Sequence, residues 1–257
     1  MFITQGVIYA ITQAYRYELK PNNRERTLLA KHAGTARFAW NWALARRIER
    51  FERNEGKEKF TSAIAEHRAW NVWKQEHAPW TYEVSKCAPQ ESFRDLDTAF
   101  KAFWRGRKEG KPVGFPKFKK KGIHDAFRMT GSIKANGETV QLPRLGTIRV
   151  KETSAVKGTI LSATVSREAD RWYVSFTVAR ERADPQPVHG EIVGIDVGLT
   201  SFAVLSNGET IEAPTPLQRS LKQLQRRAKQ HSRKQRGSQN RRKSALSLAR
   251  LHRQVRN

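Results

Sequence analysis

The spacing of apolar residues changes in the middle of this chain, and that change constrains the fold more than any other feature. Between residues 21 and 108 apolar residues recur every three or four positions, which is the stripe of an amphipathic helix. Between residues 109 and 183 they alternate with polar residues, which is the pattern of a half-buried strand. The sequence therefore predicts an α+β multidomain protein with helices and strands in separate blocks.

Individual elements follow from the same pattern. AYRYELKP reads as a strand ended by its proline, and Asn22 or Asn23 is placed to cap the helix that follows. Trp40 and Trp42 lie on the apolar stripe of that helix, so we expect them in the core rather than as base-stacking groups. In the strand block, the Asn-Gly pair at 136–137 predicts a hairpin turn. RWYVSFTVA predicts a strand whose apolar face consists of Trp172, Val174, Phe176 and Val178.

Positive charge dominates the composition. The chain has 49 Lys and Arg against 24 Asp and Glu, a formal net charge of +25. That charge exceeds what solubility requires, and it favours a polyphosphate backbone as the partner; a merely basic surface is the weaker alternative. The basic stretches lack one continuous apolar face, which disfavours a membrane surface, and no segment approaches the length of a membrane-spanning helix.

The cysteine content and the N-terminal sequence indicate the cellular compartment. Cys87 is the only cysteine, so neither a disulfide within the chain nor a cysteine-based zinc site is expected, which fits a reducing cytoplasm. The start, MFITQGVIYAIT, lacks a basic n-region and a cleavage site, so we expect an upstream extension and not a signal peptide.

Two segments combine cations with features of a nucleic-acid groove. Residues 103–122, FWRGRKEGKPVGFPKFKKKG, interleave cations with aromatic rings, so phosphates could take the charge while exposed bases stack. The alternative is a solvated basic loop whose phenylalanines anchor it to the core. After Glu212 the chain has no acidic residue, and two predicted basic helices would repel each other without a polyanion. The candidate nucleic-acid-binding residues are Arg105, Arg107, Lys108, Lys117, Lys119, Lys120, Lys121, Arg226, Arg227, Arg241, Arg242 and Lys243.

Asp196 is the candidate catalytic residue and metal ligand. It lies in EIVGIDVGLTSFAVLSNGET, a predicted β-hairpin that turns at Asn-Gly 207–208, and Gly194 and Gly198 share its face. The glycines would leave room for a metal ion or a phosphate, and Mg²⁺-dependent nucleases need a carboxylate on a rigid element. One alternative is a structural carboxylate at a strand end. Another, the phosphate loop of actin-like ATPases and sugar kinases, is disfavoured because no second Gly-rich phosphate loop follows.

Three long segments resemble, in the right order, motifs of the TnpB family, the OrfB-type proteins of insertion sequences that are related to type V CRISPR effectors. They are SFRDLDTAFKAFWRGRKEGKPVGFPKFKKK, GIDVGLTSFAVLSNG and LQRRAKQHSRKQRGSQNRRKSALSLARLHRQVRN; AYRYELKP followed by ARFAWNWAL is similar to the family's opening. The resemblance implies a transposon-encoded, RNA-guided DNA endonuclease that works with guide RNA, target DNA and Mg²⁺. It also implies a prokaryotic, cytoplasmic, nucleoid-associated protein.

The same resemblance implies a domain order. A β-barrel-like wedge domain is interrupted by a helical recognition domain and followed by the start of an RNase H-like (RuvC) domain, in which Asp196 matches the first carboxylate. The expected boundaries are 1–20 for the leader and first wedge strand, 21–108 for the recognition insert, 109–183 for the wedge domain, and 184–257 for an incomplete RuvC-like domain with a basic helical hairpin.

The chain departs from the family pattern after Glu212. Family members complete the metal site with a later Glu and a second Asp and carry a four-cysteine zinc ribbon, but here no acid follows Glu212 and no cysteine follows Cys87. Glu191 and Glu209, like Glu212, belong to the hairpin of Asp196 or its edges, so they cannot surround a scissile phosphate. We therefore expect a chain that is inactive alone, that lacks a C-terminal half, and whose unfinished sheet leaves an open apolar edge.

Two other functions compete with an RNA-guided nuclease. The first is a non-catalytic nucleic-acid-binding remnant or repressor, whose RNA binding would not depend on Asp196. The second is a generic basic RNA-binding protein of ribosomal type, which the ordered motifs disfavour.

Overall fold

The structure, a computed structural model, describes residues 8–53, 61–183, 190, 192–213 and 215–256. Contacts divide the chain into two compact units. The larger unit consists of Tyr9–Arg167 and Arg171–Arg182, and the smaller unit consists of Met1–Ile8, Glu168–Asp170 and Ala183–Asn257. The predictions for the first seven residues and for Glu191 concern residues outside the described ranges.

Helices make up the first half of the larger unit, as the apolar spacing predicts. The N-cap of the first helix is Asn22: its side-chain Oδ1 accepts from Glu25 N at 2.9 Å, and Glu25 Oε2 accepts from Asn22 N at 2.8 Å, a reciprocal capping box. Ser62 caps the second helix by accepting from Ala65 N. The helices are α1 (Asn23–Arg53), α2 (Ala63–His77) and α3 (Cys87–Lys108), with a short 3₁₀ turn at Pro79–Glu83 between the last two.

The rest of the larger unit is one curled, six-stranded half-barrel sheet, which confirms the α+β class. Its strand order is β2-β5-β6-β1-β4-β3, so the first strand of the chain lies in the middle of the sheet. The pairs β1–β4, β2–β5 and β3–β4 are antiparallel. The strands are β1 (Ile8–Leu19), β2 (Ala126–Met129), β3 (Lys134–Leu142), β4 (Gly146–Ser154), β5 (Thr159–Glu168) and β6 (Arg171–Ala183).

The hairpin turn predicted at residues 136–137 is wrong. Both residues lie inside β3, where the register with β4 shifts between Gly137 and Thr139, so the pair forms a bulge. Gly137 has a φ of 56°. Bulges and hairpin turns both use a residue with positive φ, so the Asn-Gly pair in the sequence does not distinguish them. The chain turns instead after Leu142, where Leu145 N donates to Leu142 O at 3.1 Å.

The larger unit has two apolar clusters. One joins the sheet to the start of α1 and includes the predicted β6 face, Trp172 to Val178, which is buried as expected. The other joins the three helices and contains Trp40, with Trp42 packed against it, so both tryptophans belong to the core as predicted. His32 of α1 is fully buried; its Nδ1–H donates to the Leu28 carbonyl at 2.8 Å and its Nε2 accepts from the Ser85 backbone N–H at 3.0 Å. Burial lowers the pKa of His32.

A buried ionic cluster ties the three helices together. The guanidinium of Arg47 in α1 bonds Asp97 of α3, and its Nε lies 3.6 Å from Glu66 Oε1 of α2. The second Asp97 oxygen accepts from Ala63 N at 2.7 Å, at the first turn of α2. Arg47 and Glu66 are fully buried, and Arg46 Nε lies 3.5 Å from the second Glu66 oxygen, so the buried charges are balanced within the cluster.

The smaller unit contains a three-stranded sheet and two helices. The order β7-β8-β9 and the turn at residues 207–208, where Gly208 N donates to Leu205 O at 2.9 Å, confirm the predicted hairpin. The two predicted basic helices also form. No helix in the described part of the chain is long and apolar enough to cross a membrane. The elements are β7 (Ile195–Asp196), β8 (Ser201–Leu205), β9 (Thr210–Glu212), α4 (Pro216–Ser232) and α5 (Gln239–Arg256).

Candidate nucleic-acid interface

The loop between α3 and β2, residues 109–125, is called the basic loop below, and α1 holds it in place. The Asn41 side chain bonds both backbone groups of one loop residue: its Nδ2 donates to Lys119 O at 2.9 Å and its Oδ1 accepts from Lys119 N at 2.8 Å. The preceding residue of α1 adds a third hydrogen bond, in which Trp40 Nε1 donates to Lys117 O at 3.0 Å. A side-chain amide thus substitutes for a neighbouring strand, so this part of the loop has a fixed backbone without a sheet partner.

Further contacts fix both ends of the basic loop. Phe115 makes edge-to-face contacts with Phe100 and Phe103 of α3, with both ring centroids at 5.4 Å. Near the loop's start, a Cβ on Gly106 would lie 2.2 Å from Cγ2 of Val113, so only glycine lets the loop fold back this closely on α3. Phe115 therefore anchors the basic loop to α3, as one of the two alternatives predicted, and the anchored loop still exposes charged side chains.

Asp125 closes the C-terminal end of the loop. Its Oδ1 accepts from Arg37 Nη1 of α1 at 2.9 Å and from Gly122 N at 3.1 Å. These two donors come from different segments, so the Asp125 carboxylate fixes the last turn of the basic loop against α1.

The predicted cations of the basic loop differ in whether the charged group contacts another part of the protein. Lys119 lies with its Nζ 3.8 Å from the Trp40 ring centroid, and burial lowers its pKa, so its ammonium is engaged by the protein. Lys117, Lys120 and Lys121 are exposed and have no ion-pair partner among the described residues. On the adjoining last turn of α3 the predicted cations are also exposed, although Arg107 lies over the Phe103 ring at 5.8 Å; they are Arg105, Arg107 and Lys108.

Two aromatic rings beside these cations remain accessible. Phe118 is 51% exposed and Trp104 is 42% exposed, although Trp104 also contacts Phe103 edge to face. Flat exposed rings next to cations suit stacking on nucleobases. Phe115 packs on Phe100 and Phe103 and is still 41% exposed, so a third ring is partly accessible.

In the C-terminal basic helices, some of the predicted cations form hydrogen bonds within the protein and others are exposed. Arg227 Nη1 donates to the Ser247 carbonyl at 3.0 Å, and Arg241 Nη1 donates to the Lys234 carbonyl at 2.8 Å, so these two arginines hold α4 and α5 together. The other three predicted cations are exposed, without an ion-pair partner in the described ranges; they are Arg226, Arg242 and Lys243.

The expectation that these helices have no counter-acid is wrong for the end of α5. Asp170, which belongs to the same compact unit, accepts from Arg250 Nη2 at 2.8 Å and from Arg253 Nη1 at 2.9 Å. The hydrogen bond from Arg250, reinforced by Arg253, holds the pKa of the Asp170 carboxyl far below its usual range. The acid lies too far back in the sequence for its proximity to be inferred from spacing.

Asp196 is exposed on the short strand β7, opposite Val204 of β8. Paired residues of an antiparallel ladder point to the same side, so Val204 and its own partner Thr210 share the face of Asp196. Glu209 and Glu212 are exposed elsewhere on the hairpin. The strand is extended by Ser206, whose backbone N–H donates to the Gly194 carbonyl at 2.9 Å.

The residues around Asp196 do not fit a complete metal centre. Nowhere in the described ranges do three His, Cys, Asp or Glu side chains come together as a ligand set for a metal ion. At Gly198 a Cβ would lie 3.2 Å from the Ser201 carbonyl, so this glycine allows a close approach of backbone rather than opening space. A single carboxylate would hold Mg²⁺ weakly, because Mg²⁺ gives up its water ligands reluctantly.

The three-stranded sheet around Asp196 and the helix α4 expose many apolar side chains. Within the described part of the smaller unit, Ala203, Leu224 and Leu251 are the buried apolar residues. The exposed set is much larger and comprises Ile192, Val193, Ile195, Val197, Leu199, Phe202, Val204, Ile211, Leu217 and Leu221.

Sequence reasoning missed the residues that fix the basic loop. Asn41 and Asp125 carry no motif, and Trp40 was assigned to the core without its hydrogen bond to Lys117. The one usable signal was Asn41 itself, a polar residue between two tryptophans on a helix, where a polar side chain needs a partner.

Known proteins are similar to this chain along most of its length. A family model for OrfB of IS605, described as "Probable transposase", matches residues 175–257, and a related model, described as "Helix-turn-helix domain", matches residues 11–57. "Putative RNA-guided DNA endonuclease InsQ" of Escherichia coli (strain K12) is 33% identical over 244 residues, covering 93% of this chain and 58% of that protein. "Putative RNA-guided DNA endonuclease Rv2885c" of Mycobacterium tuberculosis is 31% identical over 280 residues, covering 95% and 60%.

Among solved structures, one that is similar at low identity is the "Cryo-EM structure of the Cas12f1-sgRNA-target DNA complex". The match has 12% sequence identity and a TM-score of 0.43 and covers 96% of this chain and 76% of that chain. The helix-turn-helix description does not correspond to the local structure, because residues 11–53 contain the strand β1 and the single helix α1.

Fold and site together define a strongly basic α+β protein that presents clustered cations on an anchored loop. The chain belongs to the TnpB family, the OrfB-type proteins of insertion sequences long called transposases. It spans about 60% of the length of the curated relatives it matches.

Proposed function

We propose that this chain binds nucleic acid within an RNA-guided DNA endonuclease of the TnpB family, with guide RNA and target DNA as its partners. The basic loop carries the proposal, because its backbone is fixed to α1 while Lys117, Lys120 and Lys121 remain exposed. A preordered row of cations binds a phosphate backbone without first losing loop entropy. The names of the relatives, RNA-guided DNA endonucleases, support the same class of partner.

The finer architecture is part of this proposal. The six-stranded sheet would be the wedge domain, α1 to α3 the recognition insert, and the smaller unit the start of an RuvC-like domain, with the boundaries given above. A prokaryotic, nucleoid-associated location follows from the same assignment.

A salt titration tests the binding surface. We expect the triple variant Lys117→Gln, Lys120→Gln and Lys121→Gln to bind single-stranded RNA more weakly, and the slope of log K against log salt to fall by about 2, since each phosphate contact contributes about 0.7. The matched control carries the same change at three other exposed lysines, namely Lys134 and Lys151 in the sheet and Lys157 in the turn between β4 and β5. Equal slopes for the wild type and the loop variant would exclude the loop as a phosphate-binding surface.

We further infer that Asp196 supplies one carboxylate of a DNA-cleavage site that the described residues do not complete. Mg²⁺ held by several carboxylates would supply Lewis-acid activation of a phosphodiester. The 257 residues alone are expected not to cut a supercoiled plasmid in Mg²⁺, with or without the RNA that co-purifies with them. Cleavage that disappears in Asp196→Asn would overturn the incompleteness of the site.

A non-catalytic nucleic-acid-binding protein remains the second candidate, favoured by the isolated position of Asp196 on an exposed strand. In both cases Asp196→Asn should leave RNA affinity within about twofold, because Asp196 is an exposed acid and not one of the cations proposed to contact phosphate. The two candidates separate when a chain of the relatives' full length is assayed: cleavage that needs Asp196 supports the nuclease, and binding without cleavage supports the remnant.

A further inference from the structure

The larger unit contains a cavity of about 340 Å³ between α1 and the 3₁₀ turn at Pro79–Glu83, which we call the α1 pocket. Phe38 of α1 and Trp80 of the turn line it, and Gly34 of α1 lies beside them. The volume is at the lower end of the range for small-molecule sites, about 300–1,000 Å³. The α1 pocket therefore has room for one flat group and not for a helix.

Two aromatic rings of the α1 pocket are accessible from outside. Phe38 is 37% exposed and Trp80 is 45% exposed, and their ring centroids lie 5.4 Å apart with the ring planes at 66°. Phe38 also contacts Trp73 and the buried Trp70, at 6.0 and 5.9 Å between centroids, which fixes its orientation. A flat ring that stacks on one of the two accessible rings would meet the other at its edge, and both arrangements are favourable for aromatic groups.

Gly34 keeps the space beside these rings open, although it destabilises α1. A glycine in the interior of a helix is less favourable than alanine, because it loses more backbone freedom on folding. Packing does not require a glycine here. Apart from its own stretch of helix, the nearest described atom that a Cβ on Gly34 would meet is Arg37 Nη2 at 3.9 Å, an ordinary van der Waals distance, in contrast to the overlap at Gly106. The absent side chain leaves room for a bound group instead.

Arg37 joins the α1 pocket to the basic loop. Its Nη2 faces the space beside Gly34, while its Nη1 donates to Asp125, the residue that closes the loop. The same carboxylate accepts from the backbone N–H of Gly122, which directly follows the exposed Lys121. The run of loop lysines therefore ends beside the pocket.

The charges favour a nucleobase over an apolar side chain of a protein as the occupant. Both cations of the α1 pocket are paired with acids, Lys31 with Glu83 and Arg37 with Asp125, so the pocket itself attracts neither sign strongly. The exposed lysines of the basic loop and the net charge of +25 attract a polyanion. A strand held there by its phosphates presents its unpaired bases to the two rings at high local concentration, whereas an apolar protein segment gains no such attraction.

We propose that the α1 pocket binds an unpaired base of a nucleic-acid strand whose phosphates lie on the basic loop, with the base stacked on Trp80 and Phe38 at its edge. The proposal rests on the nucleic-acid-binding function proposed above and adds to it a site that contacts a base. Because stacking tolerates every base, this site holds a strand in place and does not read its sequence.

Fluorine NMR tests the occupant directly. The chain has seven tryptophans, so labelling with fluorotryptophan gives few resonances, and the spectrum of Trp80→Phe identifies the one from Trp80. The four ribonucleosides, which carry no charge, and N-acetylphenylalanine amide are each titrated to millimolar concentration. We expect the Trp80 resonance to move with at least one nucleoside at concentrations at which the amide has no effect. A shift with the amide alone would assign the pocket to a protein side chain and overturn the proposal.

A strand without bases separates stacking from charge. Affinity is measured for a single-stranded oligonucleotide and for its abasic counterpart, which has the same phosphates, once as RNA and once as DNA. We expect Trp80→Ala to weaken binding of the base-bearing strand about 5- to 150-fold, the range for loss of one stacked base. The abasic strand should bind the variant and the wild type within about twofold of each other, because only phosphate contacts remain.

Gly34→Ala is the sharper variant, because it should stabilise the fold and weaken binding. We expect Tm to rise by about 1–4 °C, since alanine favours the helix. The base-bearing strand should bind about 5-fold more weakly or worse, since the added methyl group occupies the space of the base. Asn71→Ala on α2 is the matched control: it also raises helix propensity, and Asn71 does not line the α1 pocket.

The outcomes separate this site from the general function. If the oligonucleotide binds but Gly34→Ala and Trp80→Ala leave its affinity unchanged, the site is excluded and the proposed function survives. If neither the base-bearing nor the abasic strand binds the wild type, both fail. A Gly34→Ala variant less stable than the wild type would show that the glycine serves packing of α1, which would also overturn the proposal. The RNA and DNA arms show which kind of strand supplies the base.

Discussion

Removal of the Asn41 side chain should open the basic loop without changing any charge. Asn41→Ala deletes two hydrogen bonds to the Lys119 backbone, at 2.8 and 2.9 Å. A typical hydrogen bond contributes about 0.5–1.5 kcal/mol, so the anchor contributes about 1–3 kcal/mol. The equilibrium between closed and open loop should therefore shift towards the open form by about 5- to 150-fold.

Limited trypsin digestion measures this shift, because trypsin cuts after lysine and needs an open backbone. When opening and closing are faster than cleavage, the cleavage rate follows the population of the open form. We expect cleavage after Lys117, Lys120 and Lys121 to accelerate by that factor in Asn41→Ala, while Asn71→Ala on α2 leaves it unchanged. RNA affinity should fall by less, because it drops only when the open form becomes a large fraction of the protein.

The salt dependence of RNA binding provides the decisive check on Asn41→Ala. Its slope should equal that of the wild type, since the same number of cations meets phosphate once the loop is closed. A cleavage rate within twofold of the wild type would refute the anchor. So would a reduced slope, because the variant would then have lost phosphate contacts rather than order.

Three further predictions concern the core. Arg47→Met should lower the free energy of unfolding by about 3–5 kcal/mol in urea denaturation, because Asp97 loses its cation and buried Glu66 keeps only the partly exposed Arg46, 3.5 Å away. Adding Glu66→Gln should recover part of this loss, and a single-variant loss below about 1 kcal/mol would contradict the assigned ion pair. Gly106→Ala should lower the free energy of unfolding by about 1–3 kcal/mol, because its Cβ would overlap the side chain of Val113. Adding Val113→Gly should restore the stability. A single variant as stable as the wild type would show that the loop can move aside. The folded pKa of His32 lies below its unfolded value, so its contribution to stability is complete above about pH 6.5 and declines as pH falls below that value, a dependence that His32→Gln should remove.

The sequence alone predicted what depends on local pattern. The apolar stripe of α1, the alternation in β6 and the Asn-Gly turn at 207–208 each fix a local structure through the period of the backbone or the φ of one residue, and all three formed as expected. The same kind of signal misled at residues 136–137, because a glycine with positive φ serves a bulge as well as a turn. The order of the three long motifs likewise indicated the family, and the net charge indicated a polyanionic partner.

Tertiary structure decided which residues of the right type are available to a partner. Lys117 and Lys119 are close neighbours in one basic run and both are exposed, yet only the Lys119 ammonium lies over the Trp40 ring, because Asn41, 78 positions earlier, pairs with the Lys119 backbone. Arg226 and Arg227 divide in the same way between surface and helix packing. The sequence thus determined the classes of element and the excess of positive charge, since these depend on composition and on short spacing, and its ordered motifs carried the resemblance to the family. Only the fold decided which charges are free, because pairing across the chain depends on distances that no local pattern encodes.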